Sequence, residues 1–114
     1  MAQRDPTVPL RHMFDHAQKA AGLVHGKTRD QVLGDEILTL ALVRLLEVVG
    51  EAAARVPEST RRRHPVIPWT AIIGLRNRLI HGYDSINPDV LWRVLAEDLP
   101  ALLPELERAV KTRH

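Results

Sequence analysis

The chain contains no cysteine, which excludes disulfides and any thiolate metal centre. No segment reaches the roughly 18 uninterrupted apolar residues of a membrane-spanning helix. The opening "MAQRDPTVPLRHMF" also lacks an apolar run of signal-peptide length. A cytoplasmic protein with no membrane association is therefore expected. Charge of one sign is scarce: 16 Lys and Arg against 14 Asp and Glu leave a net +2, with a pI near 9.5. Such a balance permits a nucleic-acid partner without requiring one. There is no internal repeat, no Gly-rich phosphate loop, no carboxylate pair at a useful spacing and no Ser-His-Asp arrangement.

What is present is a chain of 114 residues, 45% hydrophobic and 26% charged, the composition of a folded globular protein. Its length predicts one domain spanning residues 1–114. Prolines and glycines cut it into helical pieces, and no period-2 strand pattern competes with them. A first helix is predicted from Thr7 to Ala21, with Leu10, Met13, Phe14 and Ala17 on one face. A short piece at Arg29 to Leu33 precedes a long helix from Asp35 to Arg55. After "VPEST" and a short basic turn, a fourth helix is expected from Pro68 to His81. Gly82 then stands where a left-handed cap is wanted. Asn87 as N-cap, Pro88 at the first position and Asp89 beside the positive dipole end open the last helix. It carries Leu91, Val94, Leu95, Leu99, Leu102, Leu103 and Leu106, with Pro100 and Pro104 kinking or dividing it. The fold class is all-α, a bundle of about five helices.

The long helix, "ILTLALVRLLEVVGEAA", is apolar nearly all round, as in a helix buried on several sides. Its charges Arg44, Glu47 and Glu51 lie at i, i+3 and i+7, in one narrow stripe. They form either an internal network or a wall for a site built by the fourth helix. So much buried apolar surface on so short a chain also predicts a homodimer.

The fourth helix ends in "RNRLIHGY", residues 76–83, an unusual density of polar chemistry. On a wheel of about 100° per residue, Trp69, Ile72, Ile73 and Ile80 define an inward stripe with Arg76 in its middle. Asn77 and His81 share the border of that stripe, and Arg78 points away. An inward guanidinium needs a carboxylate such as Glu47 or Glu51, or an anion from outside. Arginine offers a rigid fork to phosphate oxygens, and histidine moves protons near neutral pH. Residues 76 and 81 splay by about 140° on an ideal helix. They converge on one ligand only if the helix ends or unwinds near His81, or if a second subunit supplies a group.

This stretch matches the Arg-x4-His-x-Tyr motif of the HepT-like proteins, a branch of the HEPN superfamily. Residues 44–83 resemble that family throughout. "NPDVLWRVLAEDLPALLPEL" is similar to its closing helix and "QRDPTVPLRHMFDHA" to its opening one, so the resemblance covers almost the whole chain. One mild departure is Leu45, where relatives often carry a polar residue. The resemblance implies an up-and-down antiparallel bundle that dimerises with its two motif copies facing each other. It implies a metal-independent endoribonuclease that needs no cofactor and serves as the toxin of a type VII toxin–antitoxin pair. The implied antitoxin is an MntA-type nucleotidyltransferase that adds AMP to the motif tyrosine. Carried over, Arg76 and His81 are the catalytic pair, Asn77 a positioning residue and Tyr83 the modified one, with Arg44, Glu47 and Glu51 in support.

Metal-free RNA cleavage can use the 2′-hydroxyl as its internal nucleophile. It then needs a proton donor or acceptor, for which His81 is suited, and charge stabilisation at phosphorus, for which Arg76 is suited. The alternative is a non-catalytic module that binds a nucleotide or seats a nucleotidyltransferase. Elsewhere, His12 and His16 at i, i+4 could face a metal, but no third ligand is evident, and a solvated helix face accounts for them. Trp69 and Trp92 read as packing anchors, and "RRRH" at 61–64 as a solvated helix end.

Overall fold

The computed structural model describes residues 5–83 and 85–114. Residues 1–4, where the stretch resembling an opening helix begins, and residue 84 lie outside the described residues. Helix α1, Thr7–Val24, starts where the Asp5 carboxylate accepts the Thr7 N–H at 2.9 Å. That hydrogen bond holds the Asp5 carboxyl below its usual range. Leu10, Met13, Ala17 and Ala20 form its buried stripe. The helix passes the expected end at Ala21, because Gly22 is tolerated within it, and the chain turns only at Gly26, φ +75°.

Helix α2, Arg29–Leu33, is opened by a reciprocal Thr28–Gln31 capping box. Helix α3, Glu36–Arg55, follows from Asp35, whose carboxylate accepts the Leu38 N–H at 3.0 Å. Its central and C-terminal turns bury Leu42, Val43, Leu46, Val49, Gly50, Ala52 and Ala53. Its N-terminal turns differ from the expectation of burial all round, since Ile37 is 82% and Leu40 55% exposed. Arg61 closes the other end, donating from Nε to the Val56 carbonyl at 2.9 Å and from its terminal nitrogen to that of Ala54 at 3.1 Å. Part of the basic run is thus a C-terminal cap, carried on helix α4, Glu58–Arg63.

The fourth helix is divided. Helix α5 covers Trp69–Ile73 and helix α6 Leu75–Leu79, with Gly74 between them. The Trp69 indole donates to the carbonyls of Arg61 and His64, both at 3.1 Å, so it anchors α5 to the end of α4. Where α5 crosses α3, a Cβ on Gly50 would lie 2.8 Å from the Ile72 carbonyl oxygen. Only glycine permits that approach of the two backbones.

Helix α6 stops at Leu79 instead of His81, because Ile80 turns extended, φ −113° and ψ 124°. Ile80–His81 form strand β1, which pairs antiparallel with β2, Ser85–Ile86, in the register Ile80↔Ile86 and His81↔Ser85. Asn87 prolongs the ladder by donating its N–H to the Leu79 carbonyl at 2.7 Å. Gly82 is left-handed as expected, φ +67°, but as part of the hairpin rather than as a helix cap.

Helix α7, Pro88–Arg93, opens as read, with Asn87 capping the Val90 N–H. Its expected continuation is divided by a π turn, Val94–Asp98, in which the Leu99 N–H reaches back to the Val94 carbonyl. Helix α8, Leu99–Lys111, follows with Pro100 in its first turn and Pro104 inside it. The core joins Leu91, Leu95, Leu99, Leu102, Leu106 and Ala109 of this last unit to the buried stripes of α1 and α3. Each fully buried leucine contributes about 1.5–3 kcal/mol. The chain is all-α apart from the two-residue strands, with eight α segments among the described residues because short α2 and α4 and the break at Gly74 add to the main helices. No helix among the described residues is long and apolar enough to cross a membrane.

Candidate active site

The site residues read from the sequence fall into two groups. Glu47 and Glu51 of α3 and Arg76 and Asn77 of α6 line one groove of about 240 Å3, together with Gly50, Ala54 and Ile73. The missing side chain of Gly50 lets α5 settle close to α3, which brings the first turn of α6 beside the acidic stripe. Arg76 Nε lies 3.3 Å from Glu47 Oε2, and Arg44 pairs with Glu51 at 3.1 Å. The charged stripe of α3 therefore does both things considered for it, binding internally and forming a wall for α6.

Arg76 itself is not inward. Its side chain is 73% exposed, whereas Glu47 is only 17% exposed. The wheel drawn through residues 69–81 leaned on Trp69, Ile73 and Ile80, which are only half-buried, whereas the buried positions are Ile72, Leu75 and Leu79, and these leave Arg76 on the rim. An ion pair with so exposed an arginine is worth no more than about 1 kcal/mol, and the guanidinium keeps donors free for an outside anion. Arg78 points away as expected, exposed and 3.8 Å from Asp98.

His81 and Tyr83 form the second group, carried by the hairpin after α6. An end to the helix near His81 was one of the two conditions for Arg76 and His81 to converge on one ligand, and α6 ends two residues before the histidine. His81 is exposed, and its Nε2 lies 3.1 Å from Asn87 Nδ2. The border it was to share with Asn77 is not formed, because His81 is no longer on that helix. Tyr83 is 94% exposed, so its hydroxyl is open to solvent. Asn87 is the residue that the sequence reading placed only as a helix cap. Its contact with His81 depends on the strand register, for which four residues of sequence carry no periodic signal.

Other candidates resolve as structural. His16 Nδ1 donates to the His12 carbonyl at 2.7 Å, which commits one of the two imidazoles to its own helix. No group of three metal-ligating residues occurs among the described residues. Trp92 packs half-buried against the core. A larger groove of about 520 Å3 runs between α3, α5, α6 and α8, with a mostly apolar floor of Leu46, Ile72, Leu75, Leu99 and Leu102 and with Arg78, Arg93, Asp98 and Glu105 also lining it. It holds none of the motif residues Arg76, His81 and Tyr83, so the Arg76 groove and the hairpin that follows α6 are taken as the candidate site.

Comparison with known proteins places almost the whole chain in a family. Residues 4–109 match the model of a family described as "Ribonuclease HepT-like". The chain is 33% identical over 108 residues to "Putative RNase TTE0752" of Caldanaerobacter subterraneus subsp. tengcongensis, covering 95% of this chain and 93% of that protein. It is 37% identical over 82 residues to "Probable ribonuclease HepT" of Thermococcus cleftensis, covering 72% of this chain and 74% of that one. No solved structure matches it.

Proposed function

The chain belongs to the HepT-like ribonuclease family, and from that premise we propose that it is a metal-independent endoribonuclease whose catalytic pair is Arg76 and His81. The observation that carries the reading is the exposure of both side chains within six residues, one on the rim of a groove and one on the hairpin beside it. In the proposed reaction the RNA 2′-oxygen attacks its own phosphorus and the 5′-oxygen leaves. Arg76 stabilises the charge that builds on the phosphoryl oxygens, and His81 serves the reacting oxygens, where a proton is lost or gained. Asn77, on the same groove, positions the phosphate, and Glu47, backed by Arg44 and Glu51, orients the guanidinium. DNA, lacking the 2′-hydroxyl, resists. The products carry 2′,3′-cyclic or 3′-phosphate ends.

The proposal extends to assembly and control. A C2 homodimer brings two copies of the motif together, and the exposed Ile37 and Leu40 offer apolar surface for the contact. The protein acts as a type VII toxin, and an MntA-type nucleotidyltransferase is its antitoxin. In that step the Tyr83 hydroxyl attacks the α-phosphate of ATP and pyrophosphate leaves. The new phosphodiester sets a bulky anion at the hairpin, where it repels an RNA backbone. The near-complete exposure of Tyr83 supports this.

The deciding experiment is incubation of the purified protein with a tRNA pool and EDTA. Cleavage that persists, and that His81→Ala abolishes, supports the reading; cleavage by His81→Ala at the parental rate overturns it. Intact mass after incubation with the partner and ATP tests the modification. AMP addition that persists in Tyr83→Phe places it elsewhere.

A further inference from the structure

Asn87 is tied at three points. Its backbone N–H donates to the Leu79 carbonyl at 2.7 Å, its Oδ1 accepts the Val90 N–H at 3.2 Å, and its Nδ2 lies 3.1 Å from His81 Nε2. The second contact decides which way the amide faces. A backbone N–H can only donate, so the atom that caps Val90 is the oxygen, and the atom turned to His81 is the NH2. An amide NH2 can only donate as well. His81 Nε2 must therefore present its lone pair, and in the neutral ring the proton sits on Nδ1. Which imidazole nitrogen carries the proton is set by the hydrogen bond at the other one, and here the first turn of α7 sets it.

From this we infer that Asn87 is a positioning residue that makes His81 a hydrogen-bond donor through Nδ1–H, rather than a base acting through Nε2. The inference rests on the proposed catalytic role of His81 and assigns its chemistry. The occupied Nε2 is turned to the protein, and the exposed ring offers Nδ1–H to the substrate. As the O2′–P bond forms and the P–O5′ bond breaks, Nδ1–H donates a hydrogen bond to the departing 5′-oxygen and stabilises its developing charge. The 2′-hydroxyl proton goes to water, water protonates the 5′-oxygen, and the ring keeps its own proton throughout. The register His81↔Ser85 places the histidine one step before the turn and Asn87 just past the end of the opposite strand. The hairpin is thus the brace that joins the histidine to its orienting amide.

The test separates the amide from the cap. In Asn87→Ser the hydroxyl still caps Val90 but is too short to reach His81. In Asn87→Asp the cap also survives, while a carboxylate replaces the NH2 as the group facing Nε2. Long-range 1H–15N correlation spectra of the uniformly 15N-labelled full chain at mildly alkaline pH, with His81 assigned by its absence in His81→Gln, report the tautomer directly. The expected result is the Nδ1–H form in the parent and a shift toward Nε2–H, the form that predominates in free histidine, in both variants. Asn87→Ser should also lower kcat for RNA cleavage by about ten-fold or more with KM little changed, as for loss of one oriented donor to the transition state. An Nε2–H ring in the parent, or an unchanged tautomer in Asn87→Ser, overturns the inference. Cleavage by His81→Gln at the parental rate with the expected tautomers would instead remove the proposed role of His81 and leave the orienting contact standing.

Discussion

The two halves of the Arg-x4-His motif are held in place by different forces. Arg76 sits on a helix and is restrained by a charge on another helix, Glu47 of α3, 29 positions away in the chain. His81 sits on a two-residue strand and is restrained by Asn87, six positions away, through one hydrogen bond to its ring. The arginine half keeps most of its surface in water, so its electrostatic tether is weak and its fork can be redirected to a phosphate. The histidine half is oriented by geometry. A group that must follow a charge can be loosely tethered, whereas a group that must aim one N–H along one direction needs a fixed ring.

The comparison breaks most severely when either half loses its reacting group. His81→Ala should lower RNA cleavage by about 10² to 10⁴, and Arg76→Ala by about 10² to 10³, measured as kcat on a defined RNA. The unfolding midpoint should stay close to parental for both, because both side chains are exposed. A large loss of stability in Arg76→Ala would mean that its charge anchors Glu47 more strongly than its exposure implies.

Next in size is the scaffold beneath the arginine half. Gly50→Ala should destabilise by about 1–3 kcal/mol, since a Cβ overlaps the Ile72 carbonyl and α5 must move away. In an exposed helix interior the same change gains up to about 1 kcal/mol, so denaturant unfolding gives opposite signs for the two situations. Smaller still is Glu47→Gln, which should change stability by less than about 1 kcal/mol while lowering cleavage, because the guanidinium loses its orienting carboxylate. No change in cleavage would show that Arg76 is placed by α6 alone.

The smallest effect lies away from the site. His64 Nε2 and His114 Nε2 are 2.8 Å apart, so one ring must donate and the other accept. Burial first, and then the neighbouring His114 and Arg63, push the His64 imidazole below its usual value of 6.5. The unfolded chain therefore binds the proton more readily than the folded one, and stability declines as pH falls below 6.5. His64→Gln should flatten that decline in thermal melts taken across the window, with activity at neutral pH unaffected.

Most of the helical framework could be read from the sequence, because periodicity and capping act over a few neighbouring residues. The Asp35 and Asn87 caps, the capping box at Thr28 and the Pro88 start need nothing from elsewhere in the chain. The end of α6 was harder, since Ile80 and His81 leave the helix only because Ser85 and Ile86 are there to pair with them. The outward turn of Arg76 was misread because the wheel weighed Trp69, Ile73 and Ile80 and left out Leu75 and Leu79, the buried positions of α6, which turn residue 76 to the rim. Gly50 did leave a trace, as a lone glycine in a helix otherwise rich in strong helix formers. Such a residue is tolerated at that cost where another backbone comes close.

The hairpin residue Tyr83 is the sole tyrosine in the chain and stands almost free in solvent. The molecule therefore carries a single phenol, and its alkaline ultraviolet difference spectrum arises from one position. Under the proposed AMP transfer, the esterified phenol could not ionise, and the phenolate band would disappear in proportion to the fraction of chains modified. The extent of the proposed silencing would thus be read optically, without label or separation, from the same sample in which RNA cleavage is followed.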